Sequence, residues 1–336
     1  MRAVVFSTPV EPDGLAVEEV PDPTPGPEEV LVDVVAAGVN RADLLQRRGL
    51  YDGPRELPGG VPGQVYGLEL AGRVRAVGGR VALWQPGDAV MAVVSGGGYA
   101  EQAVVHERQL LPVPAGLAVA DAAAVPEVFL TAWDALVLQG GLTSGRRALV
   151  HAGASGVGTA AIQIAKAIGA FVAVTASEGK LEACRQLGAD AAIPRSPHPW
   201  LDDLRAWAGR DGVDVVLDVI GGDELARNLD AVMVKGTIVQ VGVMGRDDQP
   251  IGLRTLLRKR VSLIGTTLRG RPHEEKIAVS RRFAREVLPL FEDGRLRPVI
   301  DSRYPLEAVG EAHARMEANA NVGKILLDVR PDPGGP

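Results

Sequence analysis

Val150-His151-Ala152-Gly153-Ala154-Ser155-Gly156-Val157-Gly158 is the stretch on which the fold turns. It is a run of small residues behind a short apolar segment, Arg147-Ala148-Leu149-Val150-His151. After it comes a helical pattern with Ile162, Ala165 and Ile168 on one face, closed by Gly169. A second apolar run, residues 171–175, follows at once. Strand, turn, helix and strand in this order have the length of a βαβ crossover. At such a turn a pyrophosphate can approach the backbone at a helix N-terminus, where N–H groups lack intrahelical partners and the dipole favours negative charge. The flanking elements supply the context that a glycine pattern alone lacks, so the stretch reads as a dinucleotide site over Ala154, Ser155, Gly156 and Val157.

The glycines are spaced G-x-x-G-x-G, with Ser155 where the second glycine of G-x-G-x-x-G usually stands. The serine narrows the approach and adds a hydroxyl for a phosphate oxygen. The end of the next strand then separates the two nicotinamide cofactors. An NAD site carries Asp or Glu there, about 20 residues on, for the ribose 2′-OH. This chain reads Thr175-Ala176-Ser177, followed by Glu178 and Lys180. Ala176 and Ser177 leave room for a 2′-phosphate; Lys180, and Arg195 past the following strand, can neutralise it. The plain alternatives are a solvated first-turn lysine and a loop arginine. With the acid missing, NADPH is the expected cofactor, while Glu178 turned onto the ribose would favour NADH.

Composition bounds the rest. The chain has 336 residues, enough for two domains, and a net charge of −6, so it lacks the basic surface that nucleic acid demands. No window approaches the roughly 20 apolar residues of a membrane span. The first six residues read as a strand, not a signal peptide, and a soluble cytoplasmic protein is expected. A single cysteine, Cys184, excludes an internal disulfide framework. Neither Cys184 nor the scattered His106, His151, His198, His273 and His313 form a metal-ligand pattern, so no metal is expected.

Residues 1–120 read as short strands (1–6, 15–20, 29–38, 67–77, 89–94, 99–106) separated by Pro- and Gly-rich turns, a small irregular β-barrel. From about 120 to 265, apolar strands at 147–151, 171–175, 213–219, 236–241 and 261–264 alternate with helices, as in a doubly wound parallel sheet. The tail reads as a long charged helix over 272–293, a strand over 299–304, a helix over 305–318 and a strand over 324–329. Those strands are expected to return to the first domain.

This order of parts resembles the medium-chain dehydrogenase/reductase superfamily from residue 1 to about 329. Several segments look like its zinc-free quinone oxidoreductase branch: Asn40-Arg41-Ala42-Asp43, Gly49-Leu50-Tyr51, Gly67-Leu68-Glu69, Gly97-Gly98-Tyr99-Ala100-Glu101 and Ala123-Ala124-Val125-Pro126 through Leu130-Thr131-Ala132. So do the glycine turn, Gly242-Val243-Met244, Thr267-Leu268-Arg269 and Asn319-Ala320-Asn321-Val322-Gly323-Lys324. The likeness is nearest to the tumour-suppressor-inducible quinone oxidoreductases. It implies a discontinuous GroES-like β-rich catalytic domain (1–120 and 266–336), a Rossmann domain (121–265), a cleft between them and a homodimer. Zinc alcohol dehydrogenases carry a Cys near Asn40, a His where Leu68 stands and a Cys-rich loop after the Tyr99 segment, all missing here. A leucine cannot ligate a metal, so Lewis-acid polarisation of an alcohol or aldehyde is disfavoured.

Without a metal the acceptor must take hydride unaided, as quinones and α,β-unsaturated carbonyls do by delocalising the developing charge. Tyr51 is the candidate hydrogen-bond or proton donor to the oxyanion and Asn40 the residue that orients the carbonyl or the nicotinamide ribose. A loop tyrosine on the barrel and a turn asparagine are the plain alternatives, and solvent can deliver the proton. By resemblance, Thr131 approaches the nicotinamide, Gly242-Val243-Met244 binds its carboxamide by backbone, Leu268 and Arg269 cap the ring and a phosphate, and Asn321 and Lys324 close the site. A 2-alkenal or enoyl-thioester reductase fits the same parts. The basic run Arg254, Arg258, Lys259, Arg260 would suit a carrier's phosphates, although Leu253, Leu256 and Leu257 mark it as a helix end with a buried side. An NADPH-binding protein with little turnover is the reading from another class.

Overall fold

The structure, a computed structural model, describes residues 1–334 apart from Arg55, residues 197–199, Arg210, Arg246, Asp247 and Gln249. His198 lies outside the described residues. The chain forms two compact units, one of Met1–Glu127 with Arg271–Pro336 and one of Val128–Gly270.

In the first unit the strand Glu29–Val39 is the hub. Its N-terminal half pairs antiparallel with both Glu69–Val77 and Gln102–His106, and its C-terminal half with Lys324–Asp328, the last strand of the chain. Register shifts at Leu31/Val32 and Val34/Ala36 bend it, as bulges do where a sheet curls. The tail therefore returns to the first unit, with Ile300–Pro305 parallel to Lys324–Asp328 at the sheet edge. Val30, Val32, Val34, Leu70, Val90, Ile325 and Leu327 fill the core and are fully buried. At roughly 2 kcal/mol for each fully buried aliphatic side chain, this cluster holds the returned tail.

The second unit is a six-stranded parallel sheet in the order Ala191–Pro194, Phe171–Ala176, Arg147–His151, Val213–Asp218, Val232–Gln240, Ser262–Gly265. Numbered along the chain that is 3-2-1-4-5-6, the Rossmann order, whose direction of winding reverses between Arg147–His151 and Val213–Asp218. These strands are buried on both faces (Leu149, Val174, Val216 and Val239 are at 0 % exposure), which explains why they read as continuous apolar runs.

Two expectations are corrected. The helix expected over 272–293 is two, His273–Glu286 and Pro289–Glu292. Proline lacks the N–H that would continue the ladder, and its ring clashes with the preceding turn, so it starts a new helix at N1. The basic helix Leu253–Lys259 turns only one of its three leucines to the core: Leu253 is 65 % and Leu257 73 % exposed, and the half-buried Leu256 alone packs on it. The basic run is also not wholly solvated. Lys259 Nζ donates to the carbonyls of Leu229, Asp230 and Val232 at 2.7–2.9 Å, closing the end of helix Glu224–Ala231.

Candidate functional site

The glycine turn leaves Arg147–His151 and enters a twelve-residue helix, Gly156–Ala167. Ser155 caps it: Gly158 N–H donates to Ser155 Oγ at 3.0 Å. The hydroxyl hydrogen of Ser155 remains available, and the N–H groups of Gly156 and Val157 have no acceptor within the helix. Glycine is required for packing here. A Cβ on Gly153 would lie 2.5 Å from Val174 Cβ, and one on Gly158 2.4 Å from the carbonyl oxygen of Ala152. Ala154 is buried while Ser155, Gly156 and Val157 stay half-exposed, so the open donors face outward from a tightly packed turn. That cradle fits a pyrophosphate.

The next two strand ends lie side by side. Ala176 pairs with Pro194, so Ser177 and Arg195 leave the sheet abreast, and Arg195 N–H donates to Ala176 O at 2.9 Å. Both residues are exposed; Lys180, half-buried, sits one short turn after Ser177 in the helix Glu178–Lys180. A hydroxyl, two cations and the exposed Glu178 therefore stand at one sheet edge, with no acid on the last strand residue, Ala176. Gly242, Val243 and Met244 follow Val232–Gln240 at the same carboxyl edge; Val243 and Met244 are exposed, and Met244 N–H donates to Ile220 O at 2.8 Å. Leu268, buried, and Arg269, half-buried, follow the last strand, and Thr131 is buried on the helix Pro126–Trp133.

In the first unit Asn40 and Lys324 converge on Glu69, a residue marked in the sequence only as part of a motif. Lys324 Nζ lies 2.5 Å from Glu69 Oε1 and donates to Val39 O at 2.8 Å and Asn40 Oδ1 at 2.7 Å. Asn40 Nδ2 donates to Glu69 Oε1 at 2.9 Å and Gly38 O at 3.2 Å, and Glu127 N–H donates to Glu69 Oε2 at 2.8 Å. Asn321 Nδ2 bonds Gly323 O at 2.7 Å and holds the turn before Lys324. Glu69 and Lys324 are at 0 % and 2 % exposure, so this is a buried ion pair with its hydrogen bonds filled. Both ends of the Asn40 amide are thus spent inside the protein. Asn40 N–H also donates to Asp43 Oδ2, which accepts from the Tyr99 hydroxyl at 2.8 Å. Burial, with Asp43 beside it, pushes the Tyr99 phenol well above its ordinary range and keeps it a donor.

Tyr51 belongs to a different feature. It lines a cavity of about 550 Å³ with Phe6, Gln46, Asp52, Gln64 and Tyr66. The Phe6 and Tyr66 rings stack at 3.4 Å and 15°, giving that cavity an aromatic wall.

These residues do not fit zinc. Leu68 brings no donor, Glu69 is committed to Lys324, and among the described residues no three His, Cys, Asp or Glu gather as a metal would need. His106 and His273 meet edge-on at 4.9 Å, with Glu28 at 3.7 Å from His106. Cys184 is buried in the helix Leu181–Gln186, and burial raises its thiol to about 11, which leaves it inert at neutral pH.

Among the described residues no helix is long and apolar enough to cross a membrane. Comparison with known proteins places residues 26–115 in the alcohol dehydrogenase GroES-like domain family and residues 156–285 in the zinc-binding dehydrogenase family. The chain is 33 % identical over 331 residues to a quinone oxidoreductase from Lama guanicoe, covering 97 % of each. Among solved structures, a quinone oxidoreductase of Escherichia coli complexed with NADPH superposes with a TM-score of 0.87 at 26 % identity, over 98 % of this chain and 100 % of that one. An NAD-dependent alcohol dehydrogenase gives 0.87 at 33 % identity, over 98 % and 100 %.

Proposed function

This chain belongs to the quinone oxidoreductase branch of the medium-chain dehydrogenase/reductase superfamily, and from that premise we propose that it uses NADPH to reduce quinones or related α,β-unsaturated carbonyls without a metal ion. The observation that carries this reading is the buried Lys324–Glu69 pair beside Leu68. Leu68 stands where the zinc enzymes carry a histidine, and Glu69 beside it is taken up by Lys324, which supports a reading without a metal ligand at this motif. An acceptor that delocalises its own charge then remains.

Bound NADPH would supply the hydride; the chain's part is to bind, orient and exclude water. Ala154 to Val157 hold the pyrophosphate by backbone N–H groups and the Ser155 hydroxyl. Ser177, Lys180 and Arg195 hold the 2′-phosphate, and Gly242 to Met244 the carboxamide, with Thr131, Leu268 and Arg269 lining the cofactor side. Tyr51 donates to the acceptor oxygen from its cavity wall, where the stacked Phe6 and Tyr66 favour a flat conjugated ring. Asn40, with its amide engaged, sets the position of Lys324 and Glu69, while Asn321 and Lys324 bound the site from the tail. The Rossmann sheet ends on Ser262–Gly265, an open edge that a second copy would cover in a homodimer.

The test is steady-state oxidation of NADPH and NADH against quinones, 2-alkenals and enoyl thioesters. Turnover fastest with NADPH and a quinone or enone is expected. Preference for an enoyl thioester would move the acceptor class, and tight NADPH binding without turnover on any acceptor would refute the enzymatic reading.

A further inference from the structure

The carboxyl ends of the two central Rossmann strands, where winding reverses, are joined by a buried polar chain that the proposed cofactor contacts do not include. His151 ends Arg147–His151; its Nδ1 lies 2.8 Å from Thr175 Oγ1 and its Nε2 2.8 Å from Asn228 Oδ1. Asn228 Nδ2 donates to Asp218 Oδ2 at 2.8 Å, and Asp218 Oδ1 accepts the N–H groups of Ile220 at 2.6 Å and Gly221 at 3.0 Å. His151, Thr175, Asn228 and Asp218 are at most 1 % exposed.

The direction of the chain follows from what each group can do. A carboxylate already accepting two backbone N–H groups needs a donor from Asn228, so the amide nitrogen faces Asp218 and its oxygen faces His151. Nε2 of His151 must then carry the hydrogen. In the neutral ring Nδ1 is then the acceptor for the Thr175 hydroxyl, and every hydrogen bond is filled. Trp200 packs edge-on against the ring at 5.0 Å and is itself held by its indole N–H to Glu224 at 2.8 Å, so the imidazole cannot turn.

Both ends of the chain hold backbone that the proposed site uses. The Thr175 carbonyl accepts Gly153 N–H at 2.9 Å, which pins the glycine turn. Ile220, fixed through its N–H by Asp218, accepts both Met244 and Gly245 N–H at 2.8 Å, which pins the 242–245 loop; Gln240 ties Asp218 O to Gly242 O. We infer that His151, Asn228 and Asp218 are positioning residues that set the glycine turn and the 242–245 loop as one unit, so that the two ends of the nicotinamide dinucleotide are gripped in register. The inference rests on the dinucleotide reading above.

The test compares NADPH with 2′-phospho-ADP-ribose, which lacks the nicotinamide and needs only the glycine turn and 2′-phosphate contacts. Binding to the full chain is measured by calorimetry. Asn228→Leu cuts the chain at its middle while leaving the Gly153–Thr175 bond intact. Expected is a rise in the NADPH Kd of about tenfold with less than about threefold for 2′-phospho-ADP-ribose, within the usual range of coupling between sites. Thr175→Val, a smaller change that serves if Asn228→Leu does not fold, should give the same split at about threefold. In protein carrying ¹⁵N-labelled histidine, His151 should show a protonated Nε2 and a bare Nδ1. Equal losses on both ligands, no loss on either, or the reverse tautomer would overturn the network. Wild-type protein that binds neither ligand would instead overturn the dinucleotide reading on which it rests.

Discussion

Lys324 shows how a single side chain sets what a site can do. Its ammonium is buried against Glu69, and removing one partner of such a pair leaves the other charge desolvated and uncompensated. Lys324→Met is therefore expected to cost about 3–5 kcal/mol in a urea titration, whereas adding Glu69→Gln to it should recover much of that loss, since a neutral pair has no charge to strand. A single variant within about 1 kcal/mol of wild type would mean that the pair is solvated in solution, as exposed pairs of that worth are. Lys180 works in the opposite regime, half-buried just past a strand end rather than locked in the core. Lys180→Ala should raise the Michaelis constant for NADPH about tenfold, the worth of one charge-assisted contact, and leave that for NADH nearly unchanged. Equal shifts for both nucleotides would remove the 2′-phosphate contact from the reading. That Lys180 and Arg195 stand just past strand ends was legible in the sequence. The Glu69 partner of Lys324 was not, because nothing local marks which distant carboxylate a buried lysine meets.

Among elements, the glycine turn was the most legible because three local signals agree on it: a buried strand, a cap and an apolar helical face. Where only periodicity spoke, the reading slipped. The seven-residue helix Leu253–Lys259 is too short for its three leucines to define one face, and two of them point to solvent. The break at Pro289 was visible as a residue but overridden by the charge pattern around it. The turn itself sets two effects against each other. Alanine in place of a helical glycine gains about 1 kcal/mol in propensity. At Gly158, however, the new Cβ meets the Ala152 carbonyl oxygen at 2.4 Å, a backbone atom that cannot swing aside. Overpacking of this kind costs about 1–3 kcal/mol, so Gly158→Ala should lower the melting temperature and weaken NADPH binding together. A variant as stable as wild type with unchanged affinity would show that the turn is looser than its packing implies.

At the scale of the molecule the fold class and the return of the tail to the first unit were readable from the order of strands and helices, since each element carries its own pattern. What tertiary burial does to polar residues was not. His313, in the helix Val309–Glu317, reads as an ordinary helical histidine, yet it is fully buried and neither ring nitrogen has a hydrogen-bond partner among the described residues. Tyr99 meets its ring edge-on at 6.0 Å, and Arg47, also fully buried and paired with Glu317, adds a like charge. Burial first, and Arg47 second, lower the imidazole from 6.5 to about 3. Because the folded value is the depressed one, the fold holds this histidine neutral while the unfolded chain takes up a proton between those two values. The stability it contributes is whole above pH 6.5 and is lost as pH falls towards 3. One proton's worth of linkage is about 1.4 kcal/mol per pH unit. His313→Leu removes that proton from the unfolded chain. In urea titrations from pH 7 to about pH 4, the stability of wild type should therefore fall more steeply than that of the variant, by about that slope once below the histidine's ordinary range. Parallel curves would mean that His313 reaches water or a partner in solution and carries its proton in both states.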